Sequence, residues 1–169
     1  MTEEVSATEP DWSREDKPFF AWHPAKSLVM CIRDYQRAAN RRGPYAWLCR
    51  RSAKLRHIFW AAITGAEIPI ACQIGGGFLV PHPNGIVIHP DAIIGPNCLL
   101  FQQVTLAGGP GGAPVISGHV DIGAGARVIG GVKVGQHVKI GANAVVLTDL
   151  PDRCTAVGIP AKIIAQQSA

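Results

Sequence analysis

Histidines are the side chains of this chain best suited to proton transfer near neutral pH, and the 169 residues include six of them. His82 stands between two prolines and is followed by Asn84-Gly85, a pair that favours a tight turn. Such a stiff, projecting loop suits a general base, which removes the proton of an attacking hydroxyl group. A loop histidine that only bonds to backbone is the alternative. We expect the upstream carboxylate of Glu67 to orient this base.

An apolar residue returns at every sixth position between Ile68 and Leu150, with two interruptions, and this period must position the candidate residues. A helix, with a period of about 3.6, and an ordinary strand, with a period of about 2, both fail to explain it. A period of six is typical of a parallel β-helix, in which three hexads form one coil. Glu67 precedes His82 by nearly one such coil, so the two could meet along the stack. The predicted inward residues are Ile68, Ile74, Val80, Ile88, Ile94, Leu100, Leu106, Ile116, Ile122, Val128, Val134, Ile140 and Val146.

Both interruptions of the period coincide with candidate loops. The step from Val80 to Ile88 is eight residues, and the step from Leu106 to Ile116 is ten. A solenoid accommodates insertions as loops, and such loops often carry the binding surface. We therefore look for function in residues 81–85, the histidine loop, and in residues 107–113, the glycine-rich loop.

The other histidines carry weaker signals. His89 is expected at a corner of a coil, where a structural role is favoured over a catalytic one. His119 and His137 are separated by three hexads, one full coil, and are expected on the same edge. No third ligand accompanies them, so we predict no metal site. His23 and His57 belong to no motif.

Composition divides the chain into three parts. Residues 1–17 hold six of the twelve acidic residues and are predicted to be a disordered tail. Residues 18–66 are predicted to be helical, with helices from Pro24 to about Asn40 and from Tyr45 to about Thr64. Residues 67–169 form the predicted β-helix domain and its C-terminal tail. The five cysteines contain no CxxC pair, and no secretory signal or long apolar stretch is visible, so we expect a cytoplasmic protein.

A basic belt, residues 26–56, contains nine basic residues and one acid, Asp34. One interpretation is a solvated helix face. Another is contact with an anionic membrane surface, because Trp, Phe and Leu share the second helix with Arg and Lys. We predict no nucleic-acid partner, since no recognition motif accompanies the charge.

Five stretches of the chain together resemble the hexapeptide-repeat acyltransferases, and among them the serine acetyltransferases. The resemblance covers about residues 65–165. It implies a left-handed parallel β-helix, a homotrimer, and acetyl-CoA bound in the groove between neighbouring prisms. The matching stretches are 77–88 (GFLVPHPNGIVI), 102–106 (QQVTL), 122–128 (IGAGARV), 140–146 (IGANAVV) and 157–162 (VGIPAK).

The resemblance also implies roles for single residues. His82 matches the catalytic histidine of the family, and Glu67 falls where the family has the aspartate that pairs with it. No cysteine lies in either loop, so we expect direct transfer of the acetyl group and no acyl-enzyme. The predicted coenzyme-binding residues are Gly108, Ala124, Gly125, Ala142 and Lys162.

Two departures from the family concern the acceptor. Pro81 stands where serine acetyltransferases carry an aspartate, and Gly112-Ala113 stand where they carry an Arg-His pair. Their loss removes the means to hold a free ammonium and a carboxylate group. We therefore expect a small hydroxyl acceptor, which is either L-serine or a sugar or other metabolite.

Two interpretations from other classes stay open. A metal-dependent hydratase of the β-helical carbonic anhydrase type needs three histidines around zinc, and its His-x4-His pair is absent here. A non-enzymatic scaffold would bind no coenzyme.

Overall fold

The computed structural model describes residues 5–18 and 21–166, and the larger part of the chain forms a three-sided parallel β-helix. The chain follows faces I, II and III of this prism in turn, and each coil stacks on the one before. Face I contains β1 (Gln73–Ile74), β3 (Ile93–Ile94), β6 (Val115–Ile116) and β9 (Lys133–Val134). Face II contains β4 (Leu99–Leu100), β7 (Asp121–Ile122), β10 (Lys139–Ile140) and β12 (Cys154–Val157), and face III contains β2 (Val87–Ile88), β5 (Thr105–Ala107), β8 (Arg127–Ile129) and β11 (Val145–Val146). A last strand, β13 (Lys162–Gln166), pairs antiparallel with β12.

The length of each coil follows the insertions seen in the sequence. Ile122 pairs with Ile140, which follows it by three hexads, the regular length of a coil. Ile74 pairs with Ile94, and Ile94 pairs with Ile116. These two coils exceed the regular length by two and by four positions, because each contains one of the loops. The histidine loop leaves the edge between faces II and III, whereas the glycine-rich loop leaves the edge between faces III and I. Face III therefore lies between the two loops.

The predicted inward ladder is confirmed, because all thirteen of its residues are at most 6% exposed. Removing this apolar surface from water drives the coils together. Cys72 and Cys98 also point inward and are buried, as small apolar side chains would be. The predicted fold class, a mainly β parallel helix with a short helical N-terminal segment, is confirmed.

The two predicted helices are present, with α1 spanning Pro24–Ala39 and α2 spanning Pro44–Thr64. Each begins at a proline. Proline lacks a backbone N–H, but the N–H groups of the first helical turn have no partner within the helix, so no hydrogen bond is lost. α2 ends at Gly65, whose φ of 65° is a left-handed conformation that suits glycine. Leu28 and Ile32 of α1 pack into the same apolar core as the first coils. Within the described residues, neither helix is long and apolar enough to cross a membrane.

The structure differs from the disordered tail predicted for residues 1–17. Residues 1–4 lie outside the described residues, but residues 5–18, which we name the strap, cross the edge between faces I and II. Asn97, fully buried at this edge, accepts a hydrogen bond from the N–H of Asp11 (2.8 Å). Its side-chain amide donates to the carbonyls of Ser6 (2.7 Å) and Glu9 (2.8 Å). Backbone groups and the buried side chain of Glu15, paired with Arg33 (2.8 Å), anchor the strap, so a polar composition does not reveal it.

Replacing Asn97 with alanine is expected to release the strap and to lower the free energy of unfolding by about 1–3 kcal/mol, because buried partners are lost. Asn143→Ala is a matched control, since both residues hold left-handed corners (φ 60° and 57°). Urea unfolding gives the difference between the variants, and limited proteolysis reports cleavage of the strap. Equal losses from both variants would assign the effect to the corner conformation and not to the strap.

Candidate active site

His82 lies in the histidine loop with its side chain exposed to solvent. The base of the loop is fixed, because the N–H of Gly85 donates to the carbonyl of Gly65 (2.8 Å) and the N–H of Gln103 donates to the carbonyl of Asn84 (3.0 Å). The φ of 70° at Gly85 explains the glycine at this turn. Within the described residues, the His82 ring makes no hydrogen bond. The alternative interpretation, a loop histidine that only bonds to backbone, therefore has no hydrogen bond to support it. The ring is available to a ligand.

A cleft of about 670 Å³, the helix-side cleft, opens beside His82 between the prism and the two helices. Its helical wall includes His23 and Lys26 from the start of α1 and Thr64 from the end of α2. Its size is typical of sites for small molecules. The cleft therefore offers room for a small acceptor next to the candidate base.

Glu67 and His82 lie on different parts of the prism. Glu67 is exposed at the start of face III, where it is level with Val87 on the next coil. Val87 follows His82 by five positions, so the carboxylate belongs to the face and the imidazole to the edge. In the described part of the chain, no hydrogen bond or ion pair joins the two side chains. The pairing expected from a step of nearly one coil is thus absent, because the histidine loop lengthens that coil.

A different carboxylate, Glu15 of the strap, lines the helix-side cleft. It forms a buried ion pair with Arg33 (2.8 Å) and accepts a hydrogen bond from the N–H of Phe78 (2.9 Å). Both oxygens also receive hydrogen bonds from the Arg33 guanidinium. Glu15 is therefore committed to holding the strap and is not available to orient a base.

A second cleft, the face III cleft of about 550 Å³, brings together Glu67, His89, Thr105 and Gly108. The Nδ1 atom of His89 accepts a hydrogen bond from the N–H of Asp91 (3.2 Å), so a neutral ring carries its proton on Nε2. That nitrogen faces the glycine-rich loop, since a Cβ added to Gly108 would lie 2.9 Å from it. Sequence reasoning favoured a structural role for His89. The sequence signal that could have placed His89 in the face III cleft is its position one coil before the glycine-rich loop.

Burial is the main cause of the pKa shifts in the described chain. It raises the pKa of Cys72 to about 11 and that of Cys98 to about 12, and it raises the pKa of Cys31 and Cys154. It lowers the pKa of His57, although a hydrogen bond with the carbonyl of Ile68 opposes this. The buried thiols stay protonated near neutral pH and are poor nucleophiles. This agrees with direct transfer and not with an acyl-enzyme.

Three of the predicted coenzyme-binding residues lie on the edge that carries the histidine loop. The N–H of Gly125 donates to the carbonyl of Gln102 (2.9 Å), and the N–H of Asn143 donates to the carbonyl of Ala124 (2.8 Å). Ala124 and Gly125 therefore stack between the coil of Gln102 and the coil of Ala142 and Asn143. Ala142 is exposed and Ala124 is half-buried, whereas Gly125 is buried against the side chain of Asn143. The two alanines are therefore the residues of this edge that an extended ligand can reach.

The other two predicted residues lie at opposite borders of face III. Lys162 opens β13, directly after Ala161, whose N–H donates to the carbonyl of Val145 on face III (2.8 Å). Gly108 lies in the glycine-rich loop, on the far edge of the face. The predicted coenzyme-binding residues therefore lie on both edges of face III. Gly108 is on one edge, and Ala124, Gly125, Ala142 and Lys162 are on the other.

His119 and His137 share one edge, as their spacing predicted, and their Nδ1 atoms are 2.8 Å apart. One ring must donate and the other accept in this contact. The edge lies between faces I and II, opposite face III. Across residues 5–18 and 21–166, no three His, Cys, Asp or Glu side chains are grouped in a way that could hold a metal ion.

A three-sided helix of hexads, with an exposed histidine above an edge of small residues, defines a hexapeptide-repeat acyltransferase. No family model matches the chain. The serine acetyltransferase of Helicobacter pylori is 38% identical over 149 residues, which are 85% of this chain and 83% of that protein. The serine acetyltransferase of Synechococcus elongatus is 44% identical over 107 residues, 60% of this chain and 43% of that protein. The chain belongs to the serine acetyltransferase family, which confirms the resemblance seen in the sequence.

Solved structures agree with this assignment. A serine acetyltransferase in complex with CoA superimposes with a TM-score of 0.71 at 30% identity, over 85% of this chain and 58% of that one. The serine acetyltransferase of Brucella abortus gives a TM-score of 0.73 at 29% identity, over 87% of this chain and 59% of that one. The chain spans about half the length of several relatives, as with 43% for Synechococcus elongatus and 51% for Buchnera aphidicola.

Proposed function

We propose that this protein is an acetyl-CoA-dependent O-acetyltransferase that acts on the hydroxyl group of a small acceptor. The observation that carries the proposal is the exposed His82 beside a cleft, at the end of an edge whose next coils present Ala124, Gly125 and Ala142. A solved relative in complex with CoA supports the choice of coenzyme. The relatives named serine acetyltransferase support the choice of reaction.

The proposed reaction is a single displacement in a ternary complex. His82 removes the proton of the acceptor hydroxyl, and the oxygen attacks the thioester carbonyl of acetyl-CoA. The tetrahedral intermediate collapses with cleavage of the carbon–sulfur bond, and the CoA thiolate takes the proton back from His82. Within one prism the glycine-rich loop lies across face III from His82, so backbone N–H groups that stabilise the oxyanion would come from this loop of a neighbouring prism. The raised pKa of the buried cysteine thiols supports a path without a covalent intermediate.

Glu67 is proposed as the carboxylate that orients His82 in the loaded enzyme. The competing carboxylate in the helix-side cleft, Glu15, is neutralised by Arg33. Glu67 is exposed and is not paired in the described chain, so its side chain is free to turn towards the edge. A carboxylate in this role fixes the ring and stabilises its protonated form.

A homotrimer is proposed because one prism leaves the site open. The coenzyme residues border face III on both edges, and a neighbouring prism would close the groove between them. Exposed apolar residues such as Val87 (38%) and Ile93 (39%) on adjoining faces support contact with another copy. The trimer also explains how Gly108 and the opposite edge contribute to one site.

The acceptor is proposed to be either L-serine or another hydroxyl compound, and we expect poor use of L-serine. The family's charged contacts are replaced by Pro81, Gly112 and Ala113, and an added Cβ at Gly112 would meet nothing within 4 Å. Lys26 is a cation that lines the helix-side cleft and is placed to take over such a contact. Because each lost charged hydrogen bond costs about 1.5–3 kcal/mol, two losses raise the KM for L-serine by about a hundredfold or more.

Thiol release from acetyl-CoA measures this preference directly, with L-serine, homoserine, hexoses and nucleotide sugars compared at equal concentration. Efficient and selective use of L-serine would contradict the acceptor argument and leave the proposed base and coenzyme intact. If calorimetry detects no binding of acetyl-CoA, the interpretation as a non-enzymatic scaffold is favoured instead. Stoichiometric zinc in the purified protein would favour the hydratase.

A further inference from the structure

The second helix presents an apolar surface that nothing in the described chain covers. α2 buries Ala46, Ala53 and Thr64 towards the rest of the protein. Its opposite side carries an outer stripe of five large side chains, which are all more than half exposed and fall within about 120° of arc at 100° per residue. A helix that is apolar on both sides is normally covered on both sides. The stripe consists of Trp47 (54% exposed), Leu48 (59%), Leu55 (70%), Ile58 (66%) and Phe59 (53%).

Basic side chains stand among and beside the residues of the outer stripe. Arg51 falls within the arc of the stripe at 100° per residue, and its guanidinium lies over the ring of Trp47 (5.2 Å). Lys54 lies at the border of the stripe, over the ring of Tyr35 (5.5 Å). Arg41 and Arg42 are exposed in the turn before the helix.

The single acid of this region does not offset the charge. Between residues 21 and 66 the sequence contains only Asp34, which already pairs with Arg56 (2.8 Å) and Arg37 (3.5 Å). A groove of about 490 Å³ beside the stripe is lined by Asp34, Arg37, Arg41 and Arg56. Cations thus outnumber the one acid in the groove as well as along the stripe.

We propose that the outer stripe docks on an anionic phospholipid bilayer. Trp, Phe, Leu and Ile on one side, with Arg and Lys among and beside them, are the composition of a helix that lies in the membrane interface. Anionic headgroups complement the excess of cations, and the arginines of the groove are suited to bind lipid phosphates. A second copy of the chain fits less well, because stripe-to-stripe contact would bring two basic borders together. This proposal is independent of the proposed acetyl transfer.

Sedimentation of the full chain with vesicles tests the docking. Binding to vesicles of phosphatidylcholine and phosphatidylglycerol is expected to exceed binding to pure phosphatidylcholine by at least about tenfold, and to weaken with salt. The double variants Leu55→Ser/Phe59→Ser and Arg51→Gln/Lys54→Gln should each lower binding by at least about tenfold. The replaced side chains are exposed, so both variants should keep the fold, and circular dichroism checks this.

Matched controls on the prism separate docking from general stickiness. Leu147→Ser removes an exposed leucine (53%), and Lys133→Gln/Lys139→Gln removes two exposed cations from other faces. These variants should bind as the unchanged protein does. Equal binding to both vesicle types overturns the proposal. So does a Leu55→Ser/Phe59→Ser variant that light scattering shows to have lost subunits, because the stripe would then be an interface between copies.

Discussion

Replacing His82 with alanine lowers the turnover of acetyl-CoA by at least about a hundredfold, because a general base contributes about 10²–10⁴ to such rates. The imidazole makes no hydrogen bond within the described residues, and the loop is fixed by the backbone of Gly85 and Asn84. The substitution therefore removes the base without disturbing the fold. Thiol release under saturating acceptor measures the loss, while calorimetry should find coenzyme binding unchanged.

His89→Ala is the informative control for this experiment. Its ring lies in the face III cleft with Glu67 and carries its proton on Nε2, so it is able to meet a substrate there. His57 also lines this cleft, but its Nε2 is hydrogen-bonded to the carbonyl of Ile68 (2.9 Å). If His89→Ala loses turnover and His82→Ala keeps it, the base has been assigned to the wrong histidine. Loss in His82→Ala alone supports the proposed mechanism.

Replacing Arg33 with leucine lowers the free energy of unfolding by about 3–5 kcal/mol, because it leaves a buried carboxylate without its counter-charge. The side chains of Arg33 and Glu15 are 6% and 10% exposed, and their ion pair is 2.8 Å long. The guanidinium also donates to the carbonyls of Ile74 and Gly75. The variant loses both hydrogen bonds, and in the described chain Ile74 keeps only the weaker donor Gln36 (3.2 Å). Urea unfolding at a fixed protein concentration measures the change.

Arg37→Leu is the matched control on the same helix. Its side chain is 71% exposed and lies 3.5 Å from Asp34, a pair worth less than about 1 kcal/mol. The double variant Arg33→Leu/Glu15→Gln should regain part of the loss, because it removes the unpaired charge. Similar losses from Arg33→Leu and Arg37→Leu would mean that helix propensity, and not the buried pair, controls the result.

The sequence predicted the prism because its signal is local and repeated. Each inward residue, such as Ile122 or Ile140, follows from a fixed period, and the register resumes after each loop. The helix bounds were predicted to within a residue, since prolines and glycines punctuate the chain at Pro24, Pro44 and Gly65.

Features that depend on contacts distant in sequence escaped prediction. Asn97 holds the strap through backbone groups near the start of the chain, which no composition reveals. Glu67 and His82 were expected to meet because their separation is close to one coil, but the inserted loop shifts the carboxylate to the level of Val87. The place of His89 in the face III cleft was not predicted, because its neighbour in space, the glycine-rich loop, belongs to the next coil.

Both ends of the β-helix are covered by other parts of the chain. An open coil would offer unpaired strand edges to the next molecule, as fibril-forming proteins do. At the start of the prism, Leu28 and Ile32 of α1 join the core of the first coils and shield them. At the other end, β13 pairs along β12, and the Gly158 carbonyl and the Ala161 N–H satisfy Val145 on face III. Deleting residues 158–166 would expose these edges, so a truncated chain would be prone to stack end to end into filaments.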